Sequence, residues 1–358
     1  MQRMLHVIIA AALALGATTA RAEESFYQGK RLTLLINFAP GGPTDVEGRL
    51  LAKHIAKHIA GNPLIVVQNK DGASGMVGAT YLGEVGPKDG TMFGYLTGTA
   101  WNSVIDPAAF RVPFASYAFI GAQQGNAVYY MRADTPPGIK TPADLMQAEG
   151  LVVGGLGADS SKDLLERLTF DMLGLQYRYV TGYRSSNTAR LALQNGEINV
   201  HSESTPGYFS VVEPSLVKAG TVIPLWYDAT YNGKGFAPLK AMAGKNIMTF
   251  PEFYKAVKGG TPSGELWEAY KTNLAVDAQM LRLVAMPPDS PPAAVAALRQ
   301  ALTALNDDAD YAADAMTAIQ FVPHYEVSAN LDQTVRDRLT IAPEMRSFIT
   351  GYMKKVAK

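Results

Sequence analysis

The chain has no cysteine. That excludes a disulfide framework, a thiol nucleophile, a thiolate metal site and a lipid-carrying cysteine near the N-terminus. Its 32 basic residues are balanced by 32 acidic ones, so it lacks the basic footprint of a nucleic-acid binder, and any anion recognition must be local. After the first residues no stretch approaches the roughly 20 apolar residues of a membrane helix. A Gly-x-Ser-x-Gly nucleophile elbow is absent. Internal repeats and low-complexity segments are not evident.

The N-terminus says where the protein works. Arg3 gives a short basic start, Val7 to Leu15 is an apolar run too short to span a bilayer, and Ala20-Arg21-Ala22 has the small-x-small pattern of a cleavage site. Residues 1–22 therefore read as a cleaved signal peptide, and the mature chain as a soluble periplasmic protein.

The most informative stretch is Phe38-Ala39-Pro40-Gly41-Gly42-Pro43-Thr44-Asp45. It lies between an apolar run, Leu32–Ile36, and residues Val46, Leu50, Leu51, Ile55 and Ile59 at helical spacing. The glycines allow a sharp turn and a close ligand, and Thr44 or Asp45 is a natural N-cap. A helix N-terminus at a strand end is a ready anion site. Gly154-Gly155-Leu156-Gly157-Ala158-Asp159-Ser160-Ser161 repeats this logic between Leu151–Gly154 and the next helix. Either loop alone is equally well read as a tight βα turn; two in one exported chain point to ligand binding.

The mature chain alternates strands (Leu32–Ile36, Leu64–Val67, Met92–Leu96, Val128–Met131, Leu151–Gly154, Tyr177–Val180, Ile198–His201, Val222–Trp226) with helices, and is mostly helical beyond Phe250. This predicts an α/β protein of two domains with parallel or mixed sheets and a ligand cleft between them. Domain 1 is expected over 23–123 plus 228–358, and domain 2 over 124–227.

Other strand ends offer further candidates: Thr97, Thr99 and Trp101 after one, Tyr183, Arg184 and Ser185 after another, and Glu203 and Ser204 after a third. Arg184 suits a carboxylate, or is an exposed loop arginine; Glu203 suits a hydroxyl, an ammonium or a water, or caps a helix before Pro206. Gly155-x-Gly157-x-x-Ser160 half-matches a dinucleotide fingerprint but lacks its third glycine and the later acidic residue. No cofactor is expected. His54 and His58 lie one helical turn apart but lack a zincin glutamate and are flanked by Lys53 and Lys57, which favours a solvated helix face and no metal. No carboxylate pair can be given acid and base roles.

Together these residues resemble the periplasmic receptors of tripartite tricarboxylate transporters, the Bug or TctC-like family. The resemblance runs through the first loop with Arg49, Val66-Val67-Gln68-Asn69-Lys70-Asp71-Gly72-Ala73-Ser74-Gly75, Gly78-Ala79, Pro87-Lys88-Asp89-Gly90-Thr91, the second loop, and Pro287-Pro288-Asp289-Ser290-Pro291. It implies a two-domain binding protein of type II-like architecture that closes on a small carboxylate, passes it to membrane permease subunits and does no chemistry. A monomer suits such a receptor. The sequence departs from the family at Thr181-Gly182-Tyr183-Arg184-Ser185, and at Asp159, which would repel a carboxylate unless it caps its helix or meets a cation or hydroxyl. A neutral, zwitterionic or hydroxylated ligand is the alternative. The rival functions are an exported hydrolase using Glu203, His201 or Asp45, and a sensor docking on a membrane kinase.

Overall fold

The computed structural model describes residues 25–356. The expected signal peptide, residues 1–22, lies outside the described residues.

The chain first forms β1 (Arg31–Ile36), α1 (Pro43–Ile55), β2 (Leu64–Asn69), α2 (Met76–Glu84), β3 (Met92–Leu96), α3 (Thr99–Ile105) and β4 (Ala118–Gln123). A second unit follows: β5 (Ala127–Arg132), β6 (Leu151–Gly154), α4 (Ser161–Met172), β7 (Tyr177–Val180), α5 (Ser186–Gln194), β8 (Val200–Ser204) and β9 (Val222–Tyr227). The remainder comprises the small hairpin β10 (Thr230–Tyr231) and β11 (Phe236–Ala237), α6 (Phe250–Lys258), α7 (Glu265–Asp277), β12 (Arg282–Met286), α8 (Pro292–Leu305), α9 (Ala309–Ile319), β13 (Tyr325–Glu326), α10 (Leu331–Arg338) and α11 (Pro343–Val356).

Two main sheets result, in the orders β13-β4-β12-β3-β1-β2 and β7-β6-β8-β5-β9. The expected parallel βαβ rhythm holds within each: β1 is parallel to β2 and β3, and β6 to β7 and β8. Each sheet also holds an antiparallel strand, β12 in the first and β5 in the second, so both are mixed.

Alternation along β1 builds two layers. Leu32, Leu34 and Ile36 face Leu50, Leu51 and Ile55 of α1 and Leu298 and Leu302 of α8, while Leu35 joins the core on the other face. Gly174 and Gly196, just past the ends of α4 and α5, sit at φ +70° and +80°, a backbone region that glycine enters without strain.

Some expectations shift. Residues Pro142–Gln147 form a 3-10 helix, and the helical C-terminal stretch breaks between α10 and α11, where Pro343 can start a helix but not continue one. The chain does not return to the first sheet at 228. Thr249 pairs with Tyr227, and Phe250 and Phe253 pack on Trp226 with ring centroids 5.4 and 4.9 Å away. Helix α7 packs on α4, and the chain rejoins the first sheet at β12 and again at β13. His54 and His58 reach Asp314 of α9 and its N-cap Asp308, each at 2.8 Å, as braces between neighbouring elements.

Candidate functional site

The carboxyl ends of β1, β3, β6, β7 and β8 meet across the gap between the sheets, where open α/β folds bind ligands. A cavity of about 100 Å³ lies there, lined from both sides by Phe38, Ala39, Gly42, Pro43, Thr44, Ser74, Thr97, Gly98, Asn102, Leu156, Ser160, Ser161, Lys162, Ser185, Ser186, Ser204, Asp277, Leu281 and Arg282.

The first loop is built from α1 backwards. Its N-cap is Gly42, not Thr44 or Asp45 as expected, with Pro43 at the first helical position. Gly42 has no side chain to satisfy the first N–H groups, so the helix end stays open toward the cavity. Asp45 turns away instead: its carboxylate accepts from the Gly41 N–H at 2.9 Å, Asn69 Nδ2 at 2.8 Å and Arg49 Nε at 2.9 Å. Burial pushes its pKa up, but these donors prevail and hold it below the usual carboxylate range. Asn37, fully buried, ties the neighbouring turns together: its side chain donates to Gly75 O and Thr97 O and accepts from Thr97 N.

The second loop uses the same device. Asp163, also third in its helix, accepts from the Gly157 N–H and the Tyr179 hydroxyl, each at 2.9 Å. The N-cap Ser160 makes no side-chain cap bond, so this helix end is open as well. Ser161 donates to Asn273 Oδ1 at 2.9 Å. Lys162 bends into the cleft, where its ammonium donates to Ser202 O at 2.6 Å and lies 3.7 Å from Asp163 Oδ1. The third helix end, Ser185–Ser186, is closed by a capping box between Ser185 and Thr188.

Of the residues expected at the site, Phe38, Ala39, Gly42, Thr44, Thr97, Ser160, Ser185 and Ser204 line the cavity. The others do not. Pro40 and Gly41 are exposed on the rim. Thr99 is buried beside Asn37, and Trp101 is fully buried with its Nε1 donating to Asp159 O at 3.2 Å. Gly155 packs on Asp163 and Tyr179, and Gly157 on Ser74 and Asp159. Arg167 donates to Ala158 O. Tyr183 is half-buried against the second core. Asp159, exposed, accepts from Ser74 Oγ at 3.1 Å, a bond between the two domains. Arg184 likewise reaches Asp71 at 3.2 Å across the mouth. Glu203 is fully buried and held by Arg190 at 2.5 Å. His201 is equally buried, with Nδ1 on Gly154 O at 2.7 Å; burial drives its pKa well below the ordinary value, so it is neutral.

The sequence reading missed Ser74, Gly98, Asn102, Lys162, Ser186, Asp277, Leu281 and Arg282, whereas Pro43, Leu156 and Ser161, which also line the cavity, lie inside the two loops it singled out. Lys162 had a legible signal, because it follows two residues of the predicted helix cap. Arg282 opens Arg282-Leu283-Val284-Ala285-Met286, an apolar run of strand length. It is 1% exposed and ion-paired with the fully buried Glu47, which also accepts from Gln123 Nε2 at 3.1 Å.

No family model matches the chain. The structure superposes on the periplasmic binding protein BugD with a TM-score of 0.64 at 17% identity, covering 91% of this chain and 98% of that one. The fold is that of the Bug and TctC solute-binding proteins. MatC from Rhodopseudomonas palustris, solved with bound malate, aligns with a TM-score of 0.61 at 17% identity over 89% of this chain and 98% of its own. In sequence, the chain is 27% identical over 209 residues to a UPF0065 protein of Agrobacterium vitis from the TAR-I ttuE-ttuC' intergenic region. That match spans 57% of this chain and 59% of that protein.

Proposed function

We propose that the chain is a periplasmic solute-binding receptor that captures a small carboxylate-bearing solute between its two glycine loops. It delivers the solute to the membrane permease subunits of a tripartite tricarboxylate-type transporter, as a monomer and without cofactor or metal. The observation that carries this reading is the convergence of two uncapped helix N-termini and the Lys162 ammonium on one cavity lined from both sheets. Each helix end favours an anion by about 0.3–1 kcal/mol, and each hydrogen bond to a charged group adds about 1.5–3 kcal/mol. A few such contacts approach the roughly 8 kcal/mol of a micromolar complex.

The two main domains fit this role as bodies of about 25–123 plus 282–356 and 127–277. Bonds across the mouth, from Asn187 Nδ2 to Gly41 O at 2.8 Å and from Ser74 to Asp159, suit a receptor that closes by a hinge. A hydrolase is disfavoured because His201, Glu203 and Asp45 are buried in fixed partnerships away from the cavity.

The test is a thermal-shift and calorimetric screen of the purified exported protein against mono-, di- and tricarboxylates. A ligand at 100 times its dissociation constant adds about 2.7 kcal/mol. A saturable shift with the acid recovered unchanged supports the receptor. Turnover of the acid, or no response to any acid by a folded and ligand-free protein, overturns it.

A further inference from the structure

A buried cation holds the second loop from outside the cavity. Arg167 of α4 is fully buried. Its Nε donates to Asp163 O at 3.2 Å, and its Nη2 donates to Ala158 O. Its Nη1 is sealed from solvent, and no acceptor among the described residues reaches it. Aromatic rings flank the guanidinium instead: Tyr179 with its centroid 4.9 Å away, and Tyr352 at 5.6 Å. Both lie inside the distance of about 6 Å at which a ring face attracts a cation.

Tyr179 belongs to β7, the strand paired with the one that leads into the loop. Tyr352 comes from α11, a helix that packs on α3 and α7. The Tyr352 hydroxyl donates to Asp171 Oδ2 at 2.6 Å, and the Tyr177 hydroxyl donates to Oδ1 of the same carboxylate at 3.1 Å, which fixes the ring beside α4. Among the described residues none of α11 lines the binding cavity; Thr350, Met353 and Lys354 line a separate one together with Ala158 and Asp159 of the loop. A buried guanidinium with an unmatched N–H gains by turning toward water. The Tyr352 ring stands in the way. Without it Arg167 can swing out, and Ala158 O loses its donor.

We propose that Tyr352 is a positioning residue of the anion site. Its ring keeps the Arg167 guanidinium on Ala158 O, and so holds the loop between Gly157 and the open helix end at Ser160 in the shape that meets the ligand. The C-terminal helix thereby sets a site that it does not touch. This rests on the receptor reading above and adds to it a part of the chain outside both glycine loops.

Hydrogen exchange read by mass spectrometry tests it on the ligand-free protein. The N–H groups of Gly157 and Ser160 are bonded locally, to Asp163 Oδ2 and Gly157 O, and report the order of the loop. Tyr352→Leu speeds exchange over residues 156–161 about tenfold and leaves residues 39–45 as they were. Tyr352→Phe keeps the ring and most of the protection. Calorimetry with succinate and with L-malate gives a second reading. Tyr352→Leu and Arg167→Met each weaken the acid that binds by about tenfold, and the double variant is no weaker than either, because one residue acts through the other. Unchanged exchange over 156–161, an equal rise over 39–45, a Tyr352→Phe protein as loose as Tyr352→Leu, or additive losses of affinity each overturn the proposal. If no acid of the screen above binds the folded protein, the receptor reading falls, and the exchange comparison still decides whether Tyr352 holds the loop.

Discussion

The two glycine loops look alike in sequence and share one construction, yet their glycines are there for different reasons. In each, an aspartate at the third helical position accepts the N–H of a loop glycine: Asp45 from Gly41, and Asp163 from Gly157. Gly41 sits at φ +79°, and a side chain there would meet nothing within 4 Å. Its requirement is conformational. At Gly157 a Cβ would come within 2.5 Å of Asp159 Oδ1 in its own loop and 2.9 Å of Ser74 Oγ in the facing domain. Its requirement is close approach. One loop is shaped by its own backbone, and the other by the side chains crowded around it, one of them from the facing domain.

The largest expected effect separates these two demands. Asparagine tolerates the left-handed region, so Gly41→Asn keeps ligand affinity within about threefold, whereas Gly41→Val costs about 1–2 kcal/mol of strain. At Gly157 both asparagine and valine collide with Ser74 and Asp159, and both weaken binding by about 100-fold while the thermal transition of the ligand-free protein stays put. Equal behaviour of the asparagine variants at the two positions, measured by calorimetry, would break the comparison.

A smaller effect sharpens it. Asp45 uses both oxygens on three donors, so Asp45→Asn turns an N–H₂ toward a donor and costs about 1–3 kcal/mol in chemical denaturation. Asp163 uses Oδ2 alone for its hydrogen bonds, while Oδ1 has none. Asp163→Asn can keep both bonds, and its cost is about 1 kcal/mol or less. The reverse order would show that the loops are not held as described.

The smallest effect lies behind the second loop. Glu166, fully buried, accepts from Ser202 Oγ at 3.0 Å, and burial raises its pKa to about 8, with Lys162 opposing the rise. A carboxyl whose folded pKa is raised stabilises the fold while protonated, and that contribution is lost as pH climbs from its ordinary value near 4 through about 8. Stability should therefore fall between pH 5 and pH 8 from this source. Asp228, bonded to Tyr129 and Tyr270 and raised to about 7 by burial, adds to the same slope. Glu166→Gln should flatten the fall in thermal midpoint over that range, whereas no matching change is expected on the Asp45 side, where the shift is downward.

Much of this was legible in the sequence. Apolar runs and helical spacing gave the strands that end at the site, and the glycine clusters gave both loops. The failures have physical causes. Asp45, Trp101 and Glu203 were reasonable ligand contacts by residue type, but burial and pairing consume them. Asp277 and Arg282 were unreadable because they come from the third stretch of chain to reach the cleft, and only tertiary packing brings α7 and β12 there. Arg184, Asp159 and Asn187 lie near the expected site but serve the rim, a distinction that depends on which domain each faces.

The Asn187 contact carries a kinetic consequence. Its side-chain oxygen is held by Arg190 at 2.5 Å, and Arg190 is anchored in turn by buried Glu203. The amide that meets Gly41 O is therefore already aimed before the mouth shuts, and little rotamer entropy remains to be lost at that step. Its acceptor is a main-chain carbonyl, which no side-chain substitution at residue 41 deletes. Such a preset catch favours rapid shutting once the domains meet, and leaves the dwell time of the cargo to be governed by the contacts the cargo itself makes.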